Sequence, residues 1–163
     1  MPKKATKAAG NVFYEARMEA STWNDKLASR EGAAEETGLD RTRLAYIELG
    51  TINPHPEEVL ILSDTYNAPE LLNHFCSRMC ALGVHTVRPV QLQELERSTL
   101  QLLSALGGIA ALKENLVNIC ADGVIDEVER PQMEDVLKRL DDTAASIEAL
   151  KLYYRKQFGN RTN

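Results

Sequence analysis

The chain has 163 residues, enough for one large domain or two small ones. Hydrophobic residues make up 44% of it and charged residues 26%, which is ordinary for a globular protein and argues against wholesale disorder. The net charge of −5 excludes a broadly basic surface, so any contact with nucleic acid has to come from a local basic patch, with weak nonspecific affinity.

The sequence predicts a cytoplasmic protein without membrane contact. No uninterrupted apolar run approaches the roughly 18 residues that a membrane span requires. The basic start of the chain, residues 1–7, lacks the apolar segment of a signal peptide. Three cysteines, an odd number, in a chain without an export signal are typical of reduced thiols.

The first half of the chain is predicted to be a set of short helices behind a basic tail, residues 1–10, that we expect to be disordered. Ser29 and Asp40 have the character of N-cap residues for the second and third helices, and Gly38 and Gly50 end those helices. A solitary Trp23 is expected to cover the core. The five helices of this domain, residues 11–80, are predicted at 11–20, 30–37, 41–49, 57–66 and 69–79.

The second half is predicted to be a helical hairpin, residues 91–158, after a linker at 81–90 that contains Gly83 and Pro89. Two apolar stripes recur at three- and four-residue steps, separated by a reversal where Asp126 and Glu129 form a capping box. One partner helix cannot bury either stripe fully, so we expect a further surface to cover them. The stripes are Leu92, Leu95, Leu102, Leu106, Ile109 and Leu116, then Met133, Val136, Leu140, Ile147, Leu150 and Tyr154.

Residues 29–50 have the spacing of a helix-turn-helix. Ala34 is small enough for two helices to cross closely, and Gly38 permits the left-handed conformation of the turn. Leu44 and Ile47 are placed to bury the inner face of the third helix. Its outer surfaces then carry Arg41, Thr42, Arg43, Ala45 and Tyr46.

This pattern closely resembles the lambda-repressor-like, or XRE, family of DNA-binding domains, over about residues 11–76. The family motif ends in Ile-Glu-x-Gly followed by a proline, here residues 47–50 and Pro54. The link at 21–27 is longer than is usual in the family. The resemblance implies an all-α protein: a five-helix lambda-repressor-like helix-turn-helix domain, followed here by the antiparallel αα-hairpin.

The resemblance also implies roles for single side chains. The third helix enters the major groove of double-stranded DNA in this family, where Arg41, Thr42 and Tyr46 would reach base edges. Arg43 would contact a phosphate, and Arg30 a phosphate or a base. Arg17 and Glu48 resemble a family pair that ties the first helix to the third.

Two functions follow as hypotheses. The first is a sequence-specific transcriptional regulator that forms a homodimer through the hairpin, because helix-turn-helix units usually bind paired half-sites. The alternative is a protein-interaction module, an antitoxin or an adaptor, whose hairpin binds another protein.

No cofactor and no metal site is expected, and no enzyme, since the sequence has no nucleophile–base–acid set, phosphate loop or His–Glu metal motif. Cys76 and Cys80 lie one helical turn apart, near His74 and His85, so zinc or a redox disulfide is chemically possible. We interpret both thiols as packing residues, and Cys120 likewise.

Overall fold

A computed structural model describes residues 7–159; the regular elements in that range are all helices, and it contains no strand. The all-α prediction is therefore confirmed. The chain divides into two compact units. The N-terminal unit comprises the described residues up to Pro89, joined by those from Phe158 onward, and the C-terminal unit is Val90–Gln157.

All five predicted helices of the N-terminal unit are present. The long link between the first two contains a short 3₁₀ turn, Asp25–Ala28, and a four-residue helix lies in the expected linker. Of the predicted tail, residues 1–6 lie outside the described residues, while residues 7–10 form a turn in which Ala8 is buried. The helices are α1 (Val12–Ala20), α2 (Arg30–Thr37), α3 (Arg41–Glu48), α4 (Pro56–Thr65), α5 (Glu70–Arg78) and α6 (Gly83–Thr86).

The predicted caps begin and end the short helices. Ser29 Oγ accepts a hydrogen bond from the backbone N–H of Gly32 at 3.0 Å. Asp40 Oδ1 accepts one from the backbone N–H of Arg43 at 2.9 Å. Gly38 ends α2 with φ at +71°, in the left-handed region that its lack of a Cβ permits. These local bonds satisfy backbone groups that short helices leave open at their ends.

The core of the N-terminal unit collects at least one side chain from the 3₁₀ turn and from each of α1 to α5. Within α2 the fully buried alanine is Ala33, and Ala34 is half-buried against the same core. The expectation that Trp23 covers the core is wrong, because its side chain is 59% exposed. Leu27, in the 3₁₀ turn, is fully buried instead.

The segment expected to be an irregular linker is anchored at its start. Gly83 is buried, and a Cβ at this position would lie 2.1 Å from the backbone oxygen of Cys76. The backbone N–H of Gly83 also donates to Cys80 Sγ at 3.4 Å. Cys76 and Cys80 are free, half-buried thiols at the point where α6 meets α5.

The C-terminal unit is built from α7 (Leu95–Gly107), α8 (Ile109–Ile119) and α9 (Arg130–Phe158). Only Gly108 separates α7 from α8. The predicted capping box before α9 is confirmed: the backbone N–H of Glu129 donates to Asp126 Oδ1 at 2.8 Å, and that of Asp126 donates to Glu129 Oε2 at 3.1 Å.

The hairpin has a small core, in which Leu112 and Ile119 of α8 pack with Val136 of α9. Many stripe residues stay in contact with solvent, and Cys120 is exposed, so our packing interpretation of this cysteine is wrong. By length and composition alone, the 25 residues Leu95–Ile119 are apolar enough to cross a membrane. The absence of membrane contact stays a prediction.

Candidate nucleic-acid interface

A turn at residues 38–40 joins α2 to α3, the two helices of the predicted helix-turn-helix. The backbone N–H of Gly38 donates to the oxygen of Ala34 at 2.9 Å and closes α2. Leu44 and Ile47 of α3 are each 1% exposed, as the spacing predicted. Glu48, the last residue of the helix, is buried as well, so the exposed side chains of α3 are those of Arg41, Thr42 and Tyr46.

The outward side of α3 carries the three side chains that were expected to reach bases. Arg41 and Thr42 in the first turn are exposed, and Tyr46, one turn beyond Thr42, is 48% exposed. Side chains four residues apart lie on one helix face, so Thr42 and Tyr46 form a continuous strip. This strip offers a hydroxyl, a methyl group and an aromatic ring beside a guanidinium.

The guanidinium of Arg41 contacts a carboxylate of the preceding helix. Its Nε donates to Glu31 Oε1, and the two side chains are 58% and 62% exposed. The backbone N–H of Glu31 itself and then Arg41 lower the pKa of the Glu31 carboxyl. Exposed pairs are weak because water screens both charges, so an incoming acceptor can displace Glu31 from Arg41.

Arg43 makes a stronger contact than Arg41. Its Nε and Nη2 donate to the two carboxylate oxygens of Glu58 at 2.7 and 2.8 Å, and both side chains are partly buried. Glu58 Oε2 also accepts the backbone N–H of His55 at 2.6 Å, at the start of α4. Arg43 is the first cause of a lowered pKa at Glu58. The pair therefore ties α3 to the beginning of α4.

This second role of Arg43 was missed by the sequence reasoning. The only signal was the position of Glu58 three residues after His55, where a helix-capping glutamate is common. The capping role is local and readable, but the arginine partner lies 15 residues away. The phosphate contact of Arg43 stays a prediction.

Glu48 lies at the centre of a buried cluster with two arginines. It is 2% exposed, and Arg17 reaches it with Nε at 2.5 Å from Oε1 and Nη2 at 3.0 Å from Oε2. Arg17 also donates to the backbone oxygen of Leu27 at 2.8 Å. The predicted tie between α1 and α3 is thus confirmed. Arg30 Nε donates to the same Glu48 Oε2 at 2.7 Å.

The cluster leaves one positive charge in excess. Burial lowers the pKa of Arg17, but its hydrogen bonds and charge interaction with Glu48 more than offset this, so the pKa is raised. Arg17 and Glu48 therefore neutralise each other. The charge of Arg30, whose side chain is 29% exposed, remains available at the first residue of α2.

The described lysines of the N-terminal unit are Lys7 and Lys26. Lys26 donates to Glu36 Oε1 at 2.8 Å near the other end of α2. Lys7 is exposed, and Lys3 and Lys4 lie outside the described residues. Within residues 7–159, no group of three or more His, Cys, Asp or Glu side chains is placed to hold a metal ion.

No family model, no curated protein and no solved structure matches this chain. The likeness to the lambda-repressor-like family therefore stays a resemblance, supported by the motif residues alone.

Proposed function

We propose that this chain is a sequence-specific DNA-binding transcriptional regulator of the lambda-repressor-like type, which acts as a dimer with α3 in the major groove. One observation carries the proposal. The helix after the left-handed turn at Gly38 buries its inner residues fully, and it exposes Arg41, Thr42 and Tyr46 together. An α-helix fits the major groove, where base edges differ in donors, acceptors and methyl groups.

Each outward side chain has chemistry that suits a base edge. Arg41 can donate two parallel hydrogen bonds to guanine once it leaves Glu31, and the methyl group of Thr42 suits a thymine methyl. Glu31 keeps Arg41 occupied until a better acceptor is present. A guanine in the correct position can replace Glu31 as the acceptor of Arg41, whereas other bases compete with Glu31 less well. The Arg41–Glu31 pair is therefore expected to increase the preference for guanine at that position.

The two other arginines are expected to position the protein on the backbone. Arg30 carries the excess charge of the Glu48 cluster and is held rigidly by it, which suits a phosphate contact. Arg43 is held by Glu58, and a phosphate would have to share its guanidinium. Arg43→Ala would therefore also loosen α3 from α4, so it is a poor test of phosphate binding.

The first experiment is a selection of random duplexes by the full-length protein at one fixed salt concentration. The proposal expects an enriched consensus, and a dimer expects that consensus to be palindromic. Mobility shifts on the selected duplex and on a scrambled one then give the ratio of affinities, which measures specificity independently of nonspecific charge.

The second experiment uses two arginines in similar surroundings. Arg41 and Arg139 are 58% and 57% exposed, and each pairs with one exposed carboxylate, Glu31 and Asp135 respectively. Arg41→Ala is expected to cost about 1–3 kcal/mol of binding free energy on the selected duplex and to relax one position per half-site. Arg139→Ala removes the same charge from α9 and should leave the specificity ratio unchanged. Equal effects of both variants would contradict the groove assignment.

The interaction module remains the second candidate, and one observation favours it. Arg41 and Arg43 each have a carboxylate of their own within the chain, so neither needs a phosphate to balance its charge. A selection that enriches no duplex at low salt would favour this reading, with a protein as the ligand of the hairpin.

A further inference from the structure

Helix α9 exposes a second apolar stripe beside the residues of the hairpin core. Its positions follow each other at steps of three, four, three, four and three residues, and all but one are apolar. Leu137 is 51% exposed, Leu140 42%, Ile147 40% and Tyr154 64%. We call this set the α9 seam: Leu137, Leu140, Ala144, Ile147, Lys151 and Tyr154.

The spacing of the α9 seam indicates what kind of surface covers it. Alternating steps of three and four average 3.5 residues, the heptad repeat by which two helices pack side chain into groove over many turns. The helix has 29 residues and is about 43 Å long. Helix α8 has 11 residues and contacts α9 through Val136, outside the seam. A long helix with the same repeat is therefore the fitting partner.

The charges beside the seam select among partners. With Leu137 at position a of the heptad, the e positions of one flank carry the carboxylates of Glu134, Asp141 and Glu148, followed by Arg155 in the last turn. The opposite flank, at g positions, is uncharged. A second α9 that runs parallel places each e flank against an uncharged g flank, whereas an antiparallel one centred on the seam brings Asp141 opposite Glu148 of the other copy. An acidic helix would meet a similar repulsion.

We propose that the α9 seam is the docking surface for a second copy of this chain, with the two α9 helices parallel. This rests on the proposed function for its purpose, since it names the surface that would form the dimer. Lys151 is the polar member of the seam, at an a position, and its Nζ lies 2.5 Å from Glu148 Oε1. One polar residue at position a fixes register and the number of strands, because misaligned pairings bury it against apolar neighbours.

The orientation has a consequence for DNA binding. Parallel helices are related by a two-fold axis that runs along the seam, so the same axis relates the two N-terminal units. That symmetry is the one a palindromic pair of half-sites has.

The first test measures the mass of the full-length protein by size exclusion with light scattering. The parent is expected at twice the chain mass of 18.2 kDa, and Leu140→Glu at the mass of a single chain. The matched control is Leu100→Glu on α7, an exposed leucine outside the seam, which should stay dimeric. Circular dichroism checks that both variants keep their helices, as substitutions at exposed positions should.

The second test fixes the orientation by disulfide formation in a Cys120→Ser background. In a parallel pair, residue 140 occupies a d position and faces the same residue of the other copy, so Leu140→Cys should form a covalent dimer upon mild oxidation. Lys138→Cys, exposed on the far side of the same turn, should not. An antiparallel pair would bring residue 140 opposite position a, and Leu140→Cys would then stay uncrosslinked.

A monomeric parent, or a Leu140→Glu variant that remains dimeric, would overturn the proposal. So would sedimentation of the parent with phosphatidylcholine vesicles that Leu140→Glu abolishes, because lipid would then cover the seam. If the dimer behaves as expected but the duplex selection enriches nothing, the proposed function fails and the α9 seam stands. If the parent binds a selected duplex as a monomer, the α9 seam fails as a dimer interface and the proposed DNA binding stands.

Discussion

The two units of this molecule bury apolar side chains in opposite ways. In the N-terminal unit short helices enclose a shared core, where Phe13, Leu27 and Leu71 are at most 1% exposed. In the C-terminal unit α8 and the 29-residue α9 share a much smaller core, while Leu140 and Ile147 remain about two-fifths exposed. Helix length and core size therefore do not increase together.

The difference lies in where the contacts come from. Short helices are marginal by themselves, and in the N-terminal unit they persist because several elements pack around each one. Of the hairpin helices only α9 is long enough to gain local stability from its length, and two layers of helix offer each apolar stripe only one neighbour. A unit of the first kind is complete as a monomer, and a unit of the second kind needs another surface.

Polar interactions follow the same division. The N-terminal unit holds a buried ion pair between Arg17 and Glu48, which are 31 residues apart in sequence. The ion pairs of α9, such as Arg139 with Asp135, are exposed and lie one turn apart. Buried pairs are costly when broken, and exposed ones contribute little.

Separating the units gives the largest expected effect. A fragment of residues 1–89 should keep its helices, melt cooperatively and stay monomeric at all concentrations. A fragment of the C-terminal unit, residues 90–157, should melt at a temperature that rises with concentration, because association and folding are coupled when a partner covers the apolar surface. Circular dichroism melts over a wide concentration range measure both. A concentration-independent melt of the second fragment would show that the hairpin is complete alone.

Removal of the buried carboxylate tests the polar side of the comparison. Glu48→Ala leaves the guanidinium of Arg17 buried without its counter-charge, and a loss of about 3–5 kcal/mol in the free energy of unfolding is expected. Glu36→Ala removes an exposed carboxylate paired with Lys26 and should change stability little. Urea unfolding of the full chain gives both values. A loss for Glu48→Ala no larger than that for Glu36→Ala would contradict the structural role of the cluster.

Local signals were sufficient to predict much of the helical framework. Ser29 and Asp40 cap their helices because a side-chain oxygen reaches a backbone N–H only a few residues away. The left-handed Gly38 and the capping box at Asp126 depend on equally short segments. Leu44 and Ile47 could be assigned to the core because helical spacing alone places them on one face.

The missed features depend on the path of the backbone and on tertiary packing, which local spacing does not encode. Whether Trp23 or Leu27 enters the core depends on the path of the 3₁₀ turn, which no periodic pattern encodes. The partner of Arg43 could not be read from α3, since Glu58 lies in another helix. The exposure of Cys120 follows from its place at the end of α8, where α9 has not yet begun.

At Gly32, too, the sequence does not reveal the contact that requires the residue. This position provides the prediction with the smallest expected effect. The sequence shows a glycine where a capping box would have Glu or Gln, without a reason for it. In the structure a Cβ on Gly32 would lie 2.1 Å from the backbone oxygen of Lys26, in the 3₁₀ turn. Gly32→Ala should therefore destabilise the N-terminal unit by about 1–3 kcal/mol, since backbone has to move to admit one methyl group.

The matched change in the hairpin should have the opposite sign. Gly107 is the last residue of α7, and a Cβ there would meet nothing within 4 Å. Alanine restricts the unfolded chain more than glycine does, so Gly107→Ala should stabilise the full chain by about 0.5–1 kcal/mol. Urea unfolding followed by circular dichroism measures both variants against the parent. Because the two substitutions are chemically identical, opposite signs would isolate the effect of packing. A gain in stability for Gly32→Ala would show that the backbone of the 3₁₀ turn moves easily. The N-terminal unit would then be no more tightly packed at this contact than the C-terminal unit is at Gly107.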